Sequence, residues 1–161
     1  MNTIRKWLAL VASIAVGTLA GQALAQNVKY FTLGAPASVG TTTTSVQVTF
    51  KNVENGNSSF NSIGIKGTAA GGVALTITAA SASPGGPGTP LVTGDGYYYL
   101  TGLSPVKKGQ TLTVTLTVTL AGNSCSNGQI TWSGRAFTGS PSQPSTEFQQ
   151  QNANPVTVVN V

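Results

Sequence analysis

Few side chains in this sequence could act as general acids or bases. The 161 residues include no histidine, the commonest general base and a frequent metal ligand. The three carboxylates are Glu54, Asp95 and Glu147, which lie far apart in the sequence. Two carboxylates would suffice for a glycosidase, but Asp95 lies between two glycines and Glu54 precedes Asn-Gly, so both are typical turn residues. We therefore predict no catalytic acid pair.

Nucleophiles and metal ligands are equally scarce. No serine lies in a Gly-x-Ser-x-Gly motif, and the one cysteine, Cys125, has no histidine to activate it. No loop alternates aspartates as a calcium-binding loop does. The sequence therefore predicts a protein that is not an enzyme and that has no cofactor and no metal site.

Cys125 and Tyr98 are the two residues with candidate binding roles. A single cysteine cannot form an intramolecular disulfide, so in an oxidising compartment Cys125 is a candidate intermolecular thiol. The alternative is a buried or simply unpaired thiol. In an extended Tyr97-Tyr98-Tyr99 segment the rings alternate between faces, and Tyr98 is a candidate platform for a sugar ring. The alternative is that Tyr97 and Tyr99 pack in the core while Tyr98 is an ordinary surface residue.

The N-terminus has the pattern of a secretory signal peptide. Arg5 and Lys6 precede the apolar run 8–20, and Ala23 and Ala25 supply the small residues that a signal peptidase recognises. The run is short for a membrane-spanning helix. We therefore expect a signal peptide over residues 1–25 and one domain over 26–161. The expected location is secreted or at the cell surface, or the periplasm if the host is Gram-negative.

The charge pattern limits the possible partners. Charged residues make up 7% of the chain, and without the signal peptide six basic and three acidic residues remain. Lys107-Lys108 is the only adjacent basic pair beyond that peptide, so we expect no nucleic-acid binding. A surface of uncharged polar residues repels other copies weakly and permits close association.

Hydrophobic periodicity predicts an all-β domain. In Thr111 to Leu120, five apolar residues alternate with five threonines, as in a strand with one buried and one exposed face. Less regular alternation predicts further strands at 28–33, 44–50, 63–65, 73–78, 97–100, 129–137 and 156–161, with Trp132 in the core. Segments 81–90 and 139–155 show no periodicity and are predicted loops. The expected fold is a single Ig-like antiparallel β-sandwich of about 7–9 strands.

One segment resembles a known family. Leu103-Ser-Pro-Val-Lys-Lys-Gly-Gln-Thr-Leu-Thr-Val114 resembles bacterial extracellular Ig-like domains of the cell-adhesion-related (CARDB) type, with a proline-and-glycine turn before an alternating strand. The resemblance covers this turn and strand only. It implies an extracellular sandwich with a binding or structural role and no catalytic residues.

Two functions are compatible with these features. The first is an exported, non-catalytic structural or adhesive subunit that contacts other copies of itself or cell-surface components. Segment 27–33 or 156–161 is then a candidate strand for donation to a neighbour. The alternative is a monomeric extracellular carbohydrate-binding module that binds polysaccharide at Tyr98 or at the loop 84–90.

Overall fold

The computed structural model describes residues 28–84, 89–92, 94–122, 128–139 and 146–160, with side chains for all of these except 89–92 and 122. The predicted signal peptide and Cys125 lie outside the described residues. Within them there are eleven strands and no helix, which confirms the all-β prediction. In chain order the strands are β1 (Tyr30–Gly34), β2 (Ser38–Gly40), β3 (Ser45–Asn52), β4 (Ser62–Ala70), β5 (Val73–Ser83), β6 (Thr89–Val92), β7 (Tyr98–Thr101), β8 (Thr111–Gly122), β9 (Gly128–Phe137), β10 (Glu147–Gln150) and β11 (Val156–Asn160).

The strands form two packed sheets that are joined along one edge. The first sheet has the order β5-β8-β3-β1, and the second has β9-β4-β7-β6, extended by β11 and β2 on β9. Strand β10 joins them, because it pairs in parallel with β1 and antiparallel with β9. On β9, a Cβ added at Gly134 would press against side chains of Phe31, Leu33 and Phe50 in the first sheet. The inner faces therefore meet as in a β-sandwich.

Strand β8 shows how the sequence pattern produces the core. Leu112, Val114 and Leu116 are fully buried, while the alternating threonines are exposed or half-buried. On the outer face these threonines stand beside Ser45, Gln47 and Thr49 of β3 and beside serines and alanines of β5. The outer face of the first sheet is therefore mostly hydroxyl-bearing, as the alternation predicts, with the charged Lys51 opposite Thr111 at one end of β3.

All eight predicted strands are present, and three more accompany them. Strands β6 and β10 lie in segments predicted as loops, so those two loop predictions were wrong in part. Strand β10 has one buried apolar residue, Phe148, and β6 contains Pro90 at the end of the sheet, where the missing N–H is tolerated. The third, β2, has three residues. Strands β10 and β2 also pair in parallel with β1 and β11, so the sheet is mixed where a purely antiparallel one was expected.

Both terminal strands pair within their own domain. Strand β1 lies between β3 and β10, and β11 lies between β9 and β2. Phe31 and Val159 on these strands are fully buried. Donation of 27–33 or 156–161 to a neighbour would therefore open the core of the donor, and the observed pairing does not favour either segment as a donated strand.

A buried hydroxyl connects three segments of the core. Trp132 is fully buried, and its Nε1–H donates to Thr157 Oγ1 at 2.8 Å. The Thr157 hydroxyl in turn donates to the Pro36 carbonyl oxygen at 2.7 Å. One side chain on β11 thus satisfies a donor on β9 and an acceptor in the segment before β2.

We expect Thr157→Val to lower the free energy of unfolding by about 1–3 kcal/mol, because it leaves a buried indole N–H and a carbonyl without partners. Urea denaturation of the wild type and the variant measures the change. Thr119→Val is the matched control, since Thr119 is exposed on the outer face of β8. Equal losses for both variants would contradict this role of the Thr157 hydroxyl.

Candidate functional site

A groove lies where the two sheets separate near β5. Gly71 and Gly72, both with positive φ, turn the chain from β4 in the second sheet into β5 in the first. Such backbone angles are readily adopted by glycine and strained for most other residues. Beyond this corner a groove of about 270 Å³ opens between the sheets. It is lined by Gly67, Leu75, Thr76, Ile77, Gly96, Tyr97 and Tyr98.

The groove is partly apolar, and its apolar side chains are incompletely shielded from solvent. Leu75 and Ile77 of β5 point inward but are only half-buried, and both pack against the edge of the main core. Tyr98 is also half-buried, packs against the core and lines the groove. The structure thus brings Tyr98 close to β5, a neighbour that the sequence did not indicate. Its role as a sugar platform stays a prediction.

Strand β5 is a long edge strand. It pairs with β8 and, among the described residues, has no strand on its other side. Its eleven residues, Val-Ala-Leu-Thr-Ile-Thr-Ala-Ala-Ser-Ala-Ser, include no charged residue and no proline. The other edge strands, β2 and β6, have three and four residues. Edge strands are commonly kept short or charged to prevent unwanted pairing, and β5 is neither.

A bulge divides β5 into two halves. The register against β8 shifts between Ile77 and Ala79, so Thr78 is the extra residue. A bulge bends the strand and interrupts its regular ladder of hydrogen bonds. Regular extended backbone therefore remains at Val73–Ile77, beside the groove, and at Ala79–Ser83, where the side chains are small.

A second cluster of aromatic rings lies on the outer face of the second sheet. Tyr99 and Phe137 are almost fully buried, but they do not belong to the core between the sheets. Tyr99 lies across Gly64, where a Cβ would collide with its ring. Its ring centroid is 5.8 Å from that of Tyr97 and 6.2 Å from that of Phe137. The missing side chain at Gly64 thus allows a small additional core to form outside the sandwich.

Arg135 covers this outer-face cluster and collects two of the three carboxylates. Its guanidinium donates to Glu147 through Nε and Nη2, at 2.8 and 3.1 Å, and lies 4.9 Å from the Phe137 ring centroid. Nη1 donates to Tyr99 Oη at 2.8 Å, and the Tyr99 hydroxyl donates to Asp95 Oδ2 at 2.7 Å.

These contacts shift the pKa values of Arg135 and Tyr99. The hydrogen bonds to Glu147 raise the pKa of Arg135, so it stays charged. Burial first, and then the bond to Asp95, raises the pKa of Tyr99 to about 12.

The outer-face cluster holds the turn that forms one wall of the groove. Asp95 Oδ1 accepts the Tyr97 N–H at 3.0 Å, and Lys66 Nζ donates to the Asp95 carbonyl at 3.3 Å. Gly96 has a φ of 79°, so the tight turn needs glycine there. Because Gly96 and Tyr97 both line the groove, the network around Arg135 positions that wall. Asp95 is the turn residue that its flanking glycines predict.

The remaining carboxylate, Glu54, lies outside both sites. It is buried, and its Oε1 accepts the Ser58 N–H at 2.6 Å, closing the turn at Asn55-Gly56 as predicted. In the part of the chain that the structure describes, no three His, Cys, Asp or Glu side chains are grouped to hold a metal ion. The same residues include no helix long and apolar enough to cross a membrane.

Comparison with known proteins gives only distant structural similarity. No family model matches the chain, and no curated protein matches it significantly. Among solved structures, AvmM, which catalyses macrocyclization in alchivemycin A biosynthesis, is 12% identical with a TM-score of 0.42, over 84% of this chain and 90% of that one. The collagen-binding domain of the Erysipelothrix rhusiopathiae surface protein RspB is 12% identical with a TM-score of 0.34, over 80% and 48%. The sixth cohesin of Acetivibrio cellulolyticus scaffoldin B, solved with a Cel5 dockerin mutant, is 14% identical with a TM-score of 0.32, over 83% and 99%. At these TM-scores we draw no functional argument from the similarities.

We expect Tyr99 to make stability decrease at alkaline pH. Because its pKa is raised from 10.0 to about 12, folding favours the neutral phenol. The neutral Tyr99 phenol therefore contributes fully to the free energy of unfolding below pH 10, and this contribution is lost as the pH rises toward 12. Tyr99→Phe should therefore lose less stability than the wild type between about pH 9 and 11.5, by about 1–2 kcal/mol. Urea denaturation across this range measures it, with Tyr30→Phe as the control for loss of a phenol outside the cluster. Parallel curves for wild type and Tyr99→Phe would contradict the prediction.

Proposed function

We propose that this protein is an exported, non-catalytic structural or adhesive subunit that acts through protein–protein contacts at β5. The observation that carries the proposal is the long, uncharged edge of β5 beside a partly apolar groove. Export rests on the signal-peptide pattern, and the absence of catalysis rests on the composition. The short CARDB-type resemblance agrees with such a role at the cell surface.

The backbone of β5 supports binding of an extended segment. On the side away from β8, a strand exposes alternating N–H and C=O groups that another extended chain can satisfy. Side chains of an added strand alternate, so every second one would enter the groove beside Leu75 and Ile77. Backbone bonds would then give affinity and the groove would give specificity.

This arrangement makes the chain an acceptor of a strand. The terminal strands that the sequence suggested as donors are both paired and buried in their own domain. Strand β5 differs from them, because within the described ranges it pairs only with β8 and its other edge has no neighbouring strand. A partner can therefore add to β5 without opening the core of this protein.

Lysine on the edge of β5 tests this proposal. Thr76 and Thr119 are both exposed and face each other across β5 and β8, so Thr76→Lys and Thr119→Lys introduce the same charge on and off the edge. Short random peptides displayed on phage would be selected on the immobilised protein. We expect selected peptides to be extended, uncharged and alternating, and to lose about tenfold or more in affinity for Thr76→Lys, or about 1.4 kcal/mol.

Thr119→Lys should bind the same peptides as the wild type, as judged by fluorescence anisotropy. Peptides that bind Thr76→Lys as tightly as the wild type would place the contact elsewhere. The proposal would also fail if no peptide were enriched.

The position of Tyr98 keeps carbohydrate binding as a second candidate. An aromatic ring at the wall of a groove can stack on a sugar ring while its hydroxyl stays near solvent. If the groove binds polysaccharide, Tyr98→Ala should abolish binding on a glycan array while Tyr98→Phe keeps most of it. Binding that persists in Tyr98→Ala would remove Tyr98 from this role. Absence of binding by the wild type would remove the candidate function.

A further inference from the structure

We propose that the strand that occupies the edge of β5 is β5 of a second copy, paired antiparallel about a two-fold axis near Leu75. This inference rests on the proposed function, because it identifies the partner at the same edge. The first sheets of two protomers would then continue into each other through β5. Each protomer would supply the same surface, as in a two-fold symmetric dimer.

The composition of β5 favours pairing with itself. In an antiparallel pair of identical strands, a charged residue near the two-fold axis would lie close to the same residue of the second copy, and the two like charges would repel each other. Val73–Ser83 carries no charge, and its outward side chains are threonine, serine and alanine. Like charges opposite each other destabilise a sheet, and this strand has none. The low charge of the whole chain also leaves little repulsion between copies.

The inner face of β5 supplies matching apolar groups. With the axis at Leu75, Leu75 lies opposite Leu75 of the second copy, and Val73 lies opposite its Ile77. Leu75 and Ile77 are half-buried in the single chain, so contact between the copies would remove further apolar surface from water. The groove beside them provides room on the same side of the sheet.

The bulge determines which half of β5 pairs. The shift between Ile77 and Ala79 breaks the regular ladder, so uninterrupted pairing on the groove side is limited to Val73–Ile77, whose centre is Leu75. The other half, Ala79–Ser83, presents only alanine and serine, and Ala82 is already buried. Pairing through that half would bury little additional apolar surface.

Hydrogen exchange as a function of concentration tests the pairing. Exchange by mass spectrometry and light scattering would be measured from about 1 μM to 1 mM, with reductant present to exclude dimers linked through Cys125. We expect dimers at high concentration, with exchange of the β5 amides slowed by about tenfold or more. Exchange in β3, which lies inside the first sheet, should not depend on concentration. Thr76→Lys should stay monomeric, and Thr119→Lys should behave as the wild type.

Disulfide trapping tests the register. Residues directly opposite in an antiparallel pair have Cα atoms about 4.5–5.5 Å apart, close enough for a disulfide. In a Cys125→Ser background, Leu75→Cys should cross-link two copies under mild oxidation, whereas Ser83→Cys should not. Cross-linking of Ser83→Cys alone would overturn the proposed register.

Two results would overturn self-pairing. One is a monomer over the whole concentration range with unchanged β5 exchange, and the other is a dimer that persists in Thr76→Lys. If the wild type is monomeric but selected peptides still lose affinity for Thr76→Lys, the proposed function stands and the second copy is the wrong occupant. If neither peptides nor a second copy bind at β5, both proposals fail.

Discussion

The packing of alternate side chains between the two sheets is the constraint on which the rest of the structure depends. Trp132 shows what this packing requires, because a fully buried indole needs both space and a partner for its N–H. Thr157 supplies the partner, and Gly67 leaves space beside the indole ring. Gly134 plays the same part for Phe31 and Phe50, whose rings stack with centroids 5.5 Å apart. Glycines on the strands therefore lie where large aromatic rings need the space that a side chain would occupy.

The sequence predicts those parts of the fold that follow from local alternation, and it misses those that depend on contacts between distant segments. The alternation in β8 predicts its two faces, and the prediction that Trp132 lies in the core is confirmed. Strand β10 could not be predicted, because Phe148 is its only apolar residue and one of its two neighbours in the sheet, β1, is far away in sequence. The outer-face cluster could not be predicted either, since Tyr99 and Arg135 are 36 residues apart. The groove could not be predicted because it forms where Tyr98 lies close to Leu75 and Ile77 of another strand. The glycines on either side of Asp95 predict the turn, but the sequence does not predict the contact between Asp95 and Arg135.

The scarcity of charged residues has different consequences for the two sheets. On the second sheet, Arg135 binds Glu147 through two nitrogens and reaches Asp95 through Tyr99, so two of the three carboxylates are used in one network. Such a bidentate pair has a better defined geometry than an ion pair with a single contact. The outer face of the first sheet is left to threonine, serine and alanine over most of its area. The long edge of that sheet consequently lacks the lysines that usually discourage pairing.

The outer-face cluster and the edge of β5 are mechanically connected even though they lie on different sheets. Arg135 holds Tyr99, Tyr99 holds Asp95, and Asp95 fixes the turn from which Tyr97 and Tyr98 reach the groove. Tyr98 lines the same groove as Leu75 and Ile77, so this network fixes one wall of the space that a side chain of the proposed partner would enter. A preformed groove does not have to be ordered when a partner binds. Arg135, Glu147 and Asp95 are therefore placed where they hold one wall of the groove beside the proposed binding edge.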